Sequence, residues 1–391
     1  MNREDLAAYL RKGCRKNLQG TQLGIELERF IVDPVTQKAV PYYGERGVEE
    51  ILLALIEEEN KGARRVTSKT MSEGHCIGYE TADYTITLEP AAQLEISARP
   101  VCDVFAYRDI YEAFEERLLR VLKRFGWEIA AYGYQPASKV DDLVIIPKER
   151  YRLMDAAFQA IGHYGRCMMR GTASTQISVD YADEDDFARK YRLAYALRTV
   201  FADLCDNMPV FEGATNTRRH MRLEIWQHVD PSRDDVHQYL TDGEMTFNAY
   251  ADFVLHAPQI VPAGAENEVE HALSMVFPDV RAKHYIEIRV GDSMPLTGIM
   301  AYGIVIRTLF SDVRAAEDFL CSHGFSGALR SGTADQTEAG DLAEIKNQTD
   351  GQAALRTAVL GYVYSACTAR EREFLDGHYR DFAHLEHFVR Q

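Results

Sequence analysis

The stretch LGIELERFIV, residues 23–32, decides the fold class of this chain. Side chains of a β-strand alternate between the two faces of a sheet, so Ile25 and Leu27 take one face while Glu26 and Glu28 take the other. Two carboxylates therefore lie side by side on a strand whose opposite face is apolar. Glutamate is a poor strand former, so its repetition at these positions points to a role beyond solubility.

The same pattern recurs twice further along the chain. Gln93-Leu94-Glu95-Ile96 follows Leu88-Glu89-Pro90, and in residues 286–290 Glu287 and Arg289 share a face. For any one segment, an antiparallel sheet with one solvated face explains the pattern without a function. Together, however, the carboxylates repel one another unless a cation lies between them, and Mg²⁺ prefers oxygen ligands from a few carboxylates and substrate phosphates. The sequence therefore predicts a floor that binds metal and phosphate.

Phosphate binding in this chain cannot rest on a glycine-rich loop. No GxxxxGK[ST] occurs and no GxGxxG follows a predicted strand. The phosphates are then expected to bind metal and the basic side chains near the last acidic strand, which are Arg281, Lys283 and Arg289.

Two long helices and seven strands are predicted around the acidic segments. Apolar residues repeat at helical spacing over 107–125, before Gly126, and again over 187–204, after the acidic run 183–186. The segments with strand patterns are LGIELERFIV, YTITLEP, QLEISA, WEIAAYGYQ, ASTQISVDY, MRLEIW and HYIEIRV. Because strands come in groups rather than in strict alternation with helices, the sequence favours an α+β fold with a mainly antiparallel sheet.

Composition and charge limit the function classes. With 391 residues, 46% of them hydrophobic, we expect a single domain over 1–391 that ends in a loop and helical segment at 331–391. A formal net charge of −16 disfavours nucleic acid and anionic membranes as partners, and no stretch approaches the roughly 20 apolar residues of a membrane helix. The seven cysteines show no CxxC and no short spacing to histidine, which predicts reduced thiols rather than disulfides or a zinc site. We expect a cytoplasmic protein, monomeric or homodimeric, that binds small molecules.

Seven motifs occur in a fixed order over residues 20–310. They are LGIELERF, LEPAAQLEISARP, IPKERYRLM, MRGTASTQISVDY, MRLEIW, YADFVLHAP and FPDVRAKHYIEIRVGD. This ordered set resembles the plant and proteobacterial glutamate–cysteine ligases, which are glutamine-synthetase-like carboxylate–amine ligases. The resemblance implies a six-stranded, mainly antiparallel sheet folded into a funnel and surrounded by helices. It also implies ATP as co-substrate at one end, glutamate toward the other, and Mg²⁺ ions, with Mn²⁺ as the alternative, bridging the phosphates.

The resemblance also implies roles for individual residues. Those matching the metal-binding floor are Glu26, Glu28, Glu89, Gln93, Glu95 and Glu287. Arg222 is expected to grip the α-carboxylate of glutamate, and Arg289 to neutralise the transferring phosphoryl group, since a guanidinium binds either anion in bidentate fashion. Residues expected around the substrate are Thr172, Gln176, Trp226 and Tyr250, although large aromatic residues at strand ends are more often part of the core.

The implied reaction activates the γ-carboxylate of L-glutamate as an acyl phosphate and couples it to the amine of L-cysteine, the first step of glutathione-type thiol synthesis. Two departures from the motifs stand out. The paired glycines before Gln93 are Ala91 and Ala92, and the arginine expected directly before Thr172 is replaced by Gly171. The alternatives are the same chemistry with another amine in a natural-product pathway, or an inactive relative that only binds nucleotide.

Overall fold

The computed structural model describes residues 1–15, 20–62, 65–240, 245–262, 267–331 and 342–389. Eleven strands occur within these ranges. They are β1 (Leu23–Val32), β2 (Ser68–Ser72), β3 (His75–Glu80), β4 (Tyr84–Leu88), β5 (Leu94–Ala98), β6 (Glu128–Ala130), β7 (Ser174–Val179), β8 (Val210–Phe211), β9 (Ala214–Thr215), β10 (Val280–Ala282) and β11 (Ile286–Asp292).

Sixteen α-helices occur in the same ranges, together with one π-helical turn at Cys167–Gly171. The first eight are α1 (Arg3–Lys12), α2 (Val48–Lys61), α3 (Val104–Phe125), α4 (Glu149–Ile161), α5 (His163–Arg166), α6 (Glu184–Ala196), α7 (Arg198–Cys205) and α8 (Met221–Gln227). The others are α9 (Pro231–Asp234), α10 (Phe247–His256), α11 (Glu268–Leu273), α12 (Leu296–Ser311), α13 (Val313–Ser322), α14 (Ser326–Ser331), α15 (Leu342–Ala366) and α16 (Ala369–His378).

The main sheet has nine antiparallel strands among the described residues. Their order is β10-β11-β7-β1-β5-β4-β3-β2, and β6 pairs with the second half of β1. The mainly antiparallel sheet is as predicted, but the expected number of six strands is wrong. The hairpin of β2 and β3 was not predicted from the sequence. Strand β2 is exposed and polar, so it lacks the alternation of apolar and polar residues that indicates a strand. Its turn, Glu73-Gly74, has positive φ at both residues, the conformation that suits a tight hairpin.

One of the two long-helix predictions was correct, whereas the other helix and one predicted strand need correction. The first predicted helix is α3, which ends at Gly126 in a left-handed conformation. The second predicted helix is broken at Leu197 into α6 and α7. The sequence pattern did not show this break, because both halves are buried and apolar residues continue at helical spacing across it. MRLEIW is helix α8, not a strand. A short apolar run does not distinguish the two, and Met, Arg, Leu and Glu are good helix formers.

The core lies on the apolar side of the sheet. Leu23, Ile25 and Leu27 of β1 are buried there, and α12 packs against α3, α7 and β7 beneath the sheet. Within the described part of the chain, no single helix is long and apolar enough to cross a bilayer. Only α12 and α13 taken together reach that length and composition, and they are bent by 93°.

The C-terminal segment predicted at 331–391 contains α15 and α16. Residues 332–341, where the loop was predicted, lie outside the described residues. The single domain over 1–391 stays a prediction.

Candidate active site

The acidic face of the main sheet is built from strand register. In β1, Glu28 lies directly opposite Glu95 of β5, and Glu26 lies opposite Gln176 of β7. Thr87 of β4 lies opposite Glu95 on its other side. Since side chains that are directly opposite share a face, these residues form one continuous polar floor. Strands β11 and β10 extend it, so six of the nine strands carry the floor.

A cavity of about 320 Å³ lies over this floor. The predicted site residues that line it are Glu26, Glu28, Glu89, Gln93, Glu95, Thr172, Gln176, Trp226, Arg281, Lys283 and Arg289. Three predicted residues, Glu287, Arg222 and Tyr250, are not part of its lining. The volume suits an amino-acid substrate and falls at the lower end of the range for ligand pockets.

Four carboxylates in the cavity share raised pKa values. Burial, and then repulsion from Glu95, raises the pKa of both Glu26 and Glu89 to about 8. Burial also raises the pKa of Glu28, against the opposing charge of Arg222, and burial together with Glu28 raises that of Glu95. Buried carboxylates in this state are stabilised by any cation that pairs with them.

Neighbouring polar groups hold two of these carboxylates in place. The Ser174 backbone N–H donates to Glu28 Oε2 at 2.6 Å, and Gln176 Nε2 donates to Glu28 Oε1 at 3.2 Å. The Thr87 hydroxyl donates to Glu95 Oε1 at 2.8 Å. Each contact leaves lone pairs on the carboxylate directed to the cavity, and the Gln176 side-chain oxygen has no partner in the described structure. The floor therefore offers several oxygen atoms to a hard cation.

The spacing of the acids fits ions that also bind phosphate. The floor acids do not form a compact trio of ligand atoms. The described residues contain such a trio only at His163, Cys167 and Glu212, outside this cavity. Mg²⁺ commonly binds one or two carboxylates and takes its other ligands from phosphates and water, which suits a wider spacing. The prediction that no cysteine has a short spacing to histidine is wrong, because His163 and Cys167 are four residues apart.

Glu287 does not form an open metal ligand. Its carboxylate is fully buried and accepts from Arg281 Nε at 2.7 Å, from Lys283 Nζ at 3.2 Å and from Arg289. Burial raises its pKa, but these three cations outweigh burial and hold the pKa well below the usual value for glutamate. Glu287 therefore positions a basic cluster of Arg281, Lys283 and Arg289. Glu287 and Arg289 lie on the same face of β11, as predicted.

Gln93 is held by backbone groups, and its predicted role as a metal ligand stays a prediction. Its side-chain oxygen accepts from the Ala91 N–H at 2.8 Å, and its Nε2 donates to the Arg170 and Thr172 carbonyls at 3.2 and 3.0 Å. The amide thus ties the turn before β5 to the segment before β7. Its place at the cavity wall is as predicted, but backbone groups already engage its polar atoms.

One of the two alanines at the predicted glycine positions, Ala92, keeps a glycine-like backbone. Ala92 has φ of +65°, a left-handed conformation that costs an L-residue roughly 1–2 kcal/mol and glycine almost nothing. The turn is closed by the Ala92 N–H donating to the Glu89 carbonyl at 2.9 Å, and it sets Glu89 at the cavity. Alanine at position 92 therefore strains the backbone of this turn.

Two arginines lie against one tryptophan. The guanidinium carbons of Arg222 and Arg289 lie 5.0 and 4.9 Å from the ring centre of Trp226, whose Nε1 donates to the Thr172 hydroxyl at 3.4 Å. Arg222 is 2% exposed, and its Nη1 donates to the Arg289 carbonyl at 2.9 Å. Its Nε and Nη2 have no partner in the described structure. Arg222 therefore holds the backbone of Arg289 through this hydrogen bond. The binding of a substrate carboxylate by Arg222 stays a prediction.

No arginine can occupy position 171 in this backbone. A Cβ atom at Gly171 would overlap the ring of Tyr134, which is fully buried. Arg170 is directed elsewhere, because its Nε donates to Asp155 at 2.7 Å and its Nη1 to the Leu143 carbonyl at 2.8 Å. The cavity thus lacks the guanidinium that the motif leads one to expect before Thr172.

Tyr250 belongs to the core rather than to the cavity. It is fully buried in α10, and its hydroxyl accepts from the Ala282 N–H at 3.0 Å. The structure therefore supports the expectation that a large aromatic residue at this position is part of the core.

Several cavity residues were missed by sequence reasoning. Lys148, Arg150 and Tyr151 line the cavity at the start of α4, where Lys148 lies 4.1 Å from the ring centre of Tyr151 and Arg150 Nη2 donates to the Ser274 hydroxyl at 2.6 Å. Lys148, Arg150 and Tyr151 all belong to the motif IPKERYRLM, so this motif could have identified them. A helix N-terminus with two cations favours an anionic substrate group.

A second cavity of about 210 Å³ lies beyond Glu26, which lines both. Its wall includes Ser97, Ser178, Asp180 and Tyr285. The floor therefore opens at two ends, with Glu26 at the junction, as a funnel requires.

Comparisons with known proteins agree with this geometry. The model of glutamate-cysteine ligase family 2 matches residues 22–342. Glutamate–cysteine ligase A of Oryza sativa subsp. japonica, a chloroplastic enzyme, is 27% identical over 323 residues, covering 75% of this chain and 64% of the relative. The chloroplastic enzyme of Arabidopsis thaliana is 28% identical over 75% of this chain and 60% of its own length. The chain thus spans less than two thirds of the length of these relatives.

A solved structure of glutamate–cysteine ligase from Francisella tularensis in complex with AMP matches with a TM-score of 0.51. The two are 12% identical in sequence, and the match covers 93% of this chain and 83% of the other. This likeness shows the fold, and the helices and the mainly antiparallel sheet confirm the predicted α+β class. On the match over residues 22–342, the chain belongs to glutamate-cysteine ligase family 2.

Proposed function

We propose that the chain is an ATP- and Mg²⁺-dependent ligase that joins the γ-carboxylate of L-glutamate to the amino group of L-cysteine. The observation that carries the proposal is the division of the floor into two charge regions. Glu26, Glu28, Glu89 and Glu95 form an acidic region with raised pKa values, and the basic cluster on Glu287 lies beside it.

The two ends of the floor suit different substrates. The end with Lys148, Arg150 and the N-terminus of α4 offers positive charge for the carboxylates of glutamate. The opposite end, past Glu26, opens into the second cavity and suits the nucleotide. This arrangement brings the γ-carboxylate and the γ-phosphate together above the floor, between Glu28 and Arg289.

The reaction needs positioning and charge neutralisation rather than a protein nucleophile. Mg²⁺, when bound to the carboxylates, would offset the negative charge of the phosphate chain. Glutamate's γ-carboxylate oxygen attacks the γ-phosphorus and ADP leaves; the amine then attacks the acyl carbon and phosphate leaves. Arg289, fixed by Glu287 and stacked on Trp226, offers its guanidinium to the transferring group. Such preorganised charge contributes several kcal/mol to barrier lowering.

The test uses the purified chain with ATP, Mg²⁺, L-glutamate and L-cysteine. We expect ADP, phosphate and γ-glutamylcysteine in equal amounts, and transfer of ¹⁸O from the labelled γ-carboxylate to phosphate. Glu95→Ala should abolish turnover, while Glu80→Ala, in β3 of the same sheet but outside the cavity, should leave it unchanged. Absence of glutamate-dependent phosphate release from the wild-type chain, or full activity in Glu95→Ala, would contradict the proposal.

A second candidate keeps the acyl phosphate and changes the amine. Gly171 favours it, because the arginine expected at that position is absent and Arg170 is held by Asp155. A panel of amino acids and small amines, assayed with glutamate and ATP, separates the two candidates. Phosphate release that rises with another amine and not with cysteine would select the second. Location in the cytoplasm and a monomeric or homodimeric state stay predictions.

A further inference from the structure

A second group of metal-ligand side chains lies outside the acidic floor. His163, Cys167 and Glu212 place one nitrogen, one sulfur and one oxygen atom within 4.8 Å of one another. His163 Nε2 and Glu212 Oε2 are 3.5 Å apart. From these contacts we propose that His163, Cys167 and Glu212 bind one Zn²⁺ ion or a similar divalent transition metal, which clamps the wall of the substrate cavity.

The ligand types select the class of ion. Imidazole nitrogen and thiolate sulfur suit Zn²⁺ and related transition metals, whereas Mg²⁺ demands oxygen ligands. Tetrahedral zinc, with bonds of roughly 2.0–2.3 Å, places its ligand atoms about 3.3–3.7 Å apart. The pair of His163 and Glu212 already meets this spacing. The exposed His163 side chain follows Gly162 at the start of α5. It therefore has room to move the short distance that would bring its nitrogen to zinc-ligand spacing from the Cys167 sulfur.

The surroundings of the group already orient its ligands. Glu212 lies in the turn between β8 and β9, and its Oε1 accepts from the Val140 N–H at 2.8 Å, which leaves Oε2 to face His163. Tyr134 is fully buried, and its hydroxyl lies beside the Cys167 thiol. An ionised Cys167 sulfur would accept that hydroxyl hydrogen. Outer partners of this kind fix the ligands of metal sites.

Charged neighbours do not oppose a cation here. Arg166, next to Cys167 in sequence, pairs with Asp141 and with Asp155, so carboxylates offset its charge. Zn²⁺ would displace the thiol proton of Cys167 to solvent, and the exposed side of His163 leaves the fourth position to water. No redox partner is needed for this step.

The site would act on the cavity through the chain itself. Cys167 begins the π-helical turn Cys167–Gly171, and the next two residues, Met168 and Met169, line the substrate cavity. Glu212 belongs to a hairpin that hydrogen bonds to a different segment, since the Gly213 N–H donates to the Pro136 carbonyl at 2.9 Å. A metal ion would therefore join two separate segments and fix the wall that carries both methionines.

Co²⁺ serves as the spectroscopic probe, and Zn²⁺ as its competitor. The full chain, stripped with a chelator and held in excess Mg²⁺ to fill the acidic floor, is titrated with Co²⁺ without ATP, glutamate or cysteine. We expect one Co²⁺ per chain, a thiolate-to-cobalt charge-transfer band, and loss of both on addition of Zn²⁺. Because no substrate is present, the outcome is independent of the proposed ligase activity.

Variants assign the ligands. Cys167→Ser should remove the charge-transfer band, and His163→Gln and Glu212→Gln should each lower Zn²⁺ affinity more than tenfold. His163 is exposed, so His163→Gln tests the site even if Cys167→Ser fails to fold. Two controls, Cys102→Ser at an exposed cysteine and His228→Gln at a nearby histidine, should bind as wild type. No charge-transfer band in the wild type, or wild-type affinity in His163→Gln, would overturn the proposal.

Discussion

Raising the pH of the metal-free protein from about 5 to about 8.5 should lower its melting temperature, and Mg²⁺ should remove the part of that loss that comes from the acidic floor. Glu26 and Glu89 have folded pKa values of about 8, against an ordinary value of 4.5. Between these two values the folded state binds more protons than the unfolded state. The free energy of unfolding therefore falls as pH rises through this window, and the stability is fully present only below it.

The size of the effect follows from the same two groups. One pKa unit corresponds to about 1.4 kcal/mol, so each shift amounts to on the order of 4–5 kcal/mol. Both groups repel the same neighbour, Glu95, so their contributions overlap, and we take on the order of 5 kcal/mol for the pair. An unfolding entropy of about 2.1 cal/mol/K per residue over 391 residues gives about 0.8 kcal/mol/K. These two carboxylates alone should then lower the melting temperature by about 6 °C, and this is the part that Mg²⁺ should restore.

The assay records thermal unfolding by circular dichroism across this pH range, in EDTA and in saturating Mg²⁺. Asp234, outside the cavity, also has a pKa that burial raises to about 8, and it contributes a slope that Mg²⁺ does not change. The difference between the two curves therefore isolates the floor. The double variant Glu26→Gln, Glu89→Gln should lose most of that difference, since only Glu28 and Glu95 then remain on the floor. Parallel curves with and without Mg²⁺ in the wild type would refute the reasoning.

Three further predictions concern single positions. Ala92→Gly should leave the free energy of unfolding nearly unchanged, because relief of the left-handed strain offsets the lost burial and the added entropy of the unfolded chain. Ala91→Gly relieves no such strain, so it should lower the free energy of unfolding by about 1.5 kcal/mol, measured by chemical denaturation. Arg289→Lys should lower kcat by on the order of 100-fold in the ligase assay, since an ammonium cannot bind the phosphoryl group in bidentate fashion. Gly171→Ala should cost about 1–3 kcal/mol by overlap with Tyr134, and a loss below about 0.5 kcal/mol would contradict the packing described.

The acidic floor could be predicted because its signal is local. Alternation within β1 alone places Glu26 and Glu28 on one face, and the same rule places Glu95 and Arg289. The apolar half of each strand fixes the register, because a shift by one residue would bury the carboxylates in the core. Strand pairing then brought together acids that are far apart in sequence, as the floor hypothesis required.

Partners contributed by distant segments could not be predicted. The three cations around Glu287 are close to it in sequence and were predicted near the last acidic strand, but only the pairing of β10 with β11 shows that they engage its carboxylate. The Gln93 side chain donates from its Nε2 to the carbonyls of Arg170 and Thr172, nearly eighty residues away, which no local sequence pattern shows. The spacing of His163 and Cys167 was visible, but only the fold adds Glu212 to them.

The unequal treatment of the carboxylates explains how one floor can serve both metal and nucleotide. Glu287 is neutralised within the protein, and Arg281, Lys283 and Arg289 together outweigh its charge, which leaves a net positive region for a phosphate chain. Burial is the largest cause of the raised pKa values of Glu26, Glu28, Glu89 and Glu95, so a cation that pairs with these four acids would stabilise their ionised form. Two divalent ions would balance four carboxylates. The acids therefore disfavour a bare triphosphate and favour one that arrives with metal, so metal and nucleotide must each tighten the binding of the other by the same factor.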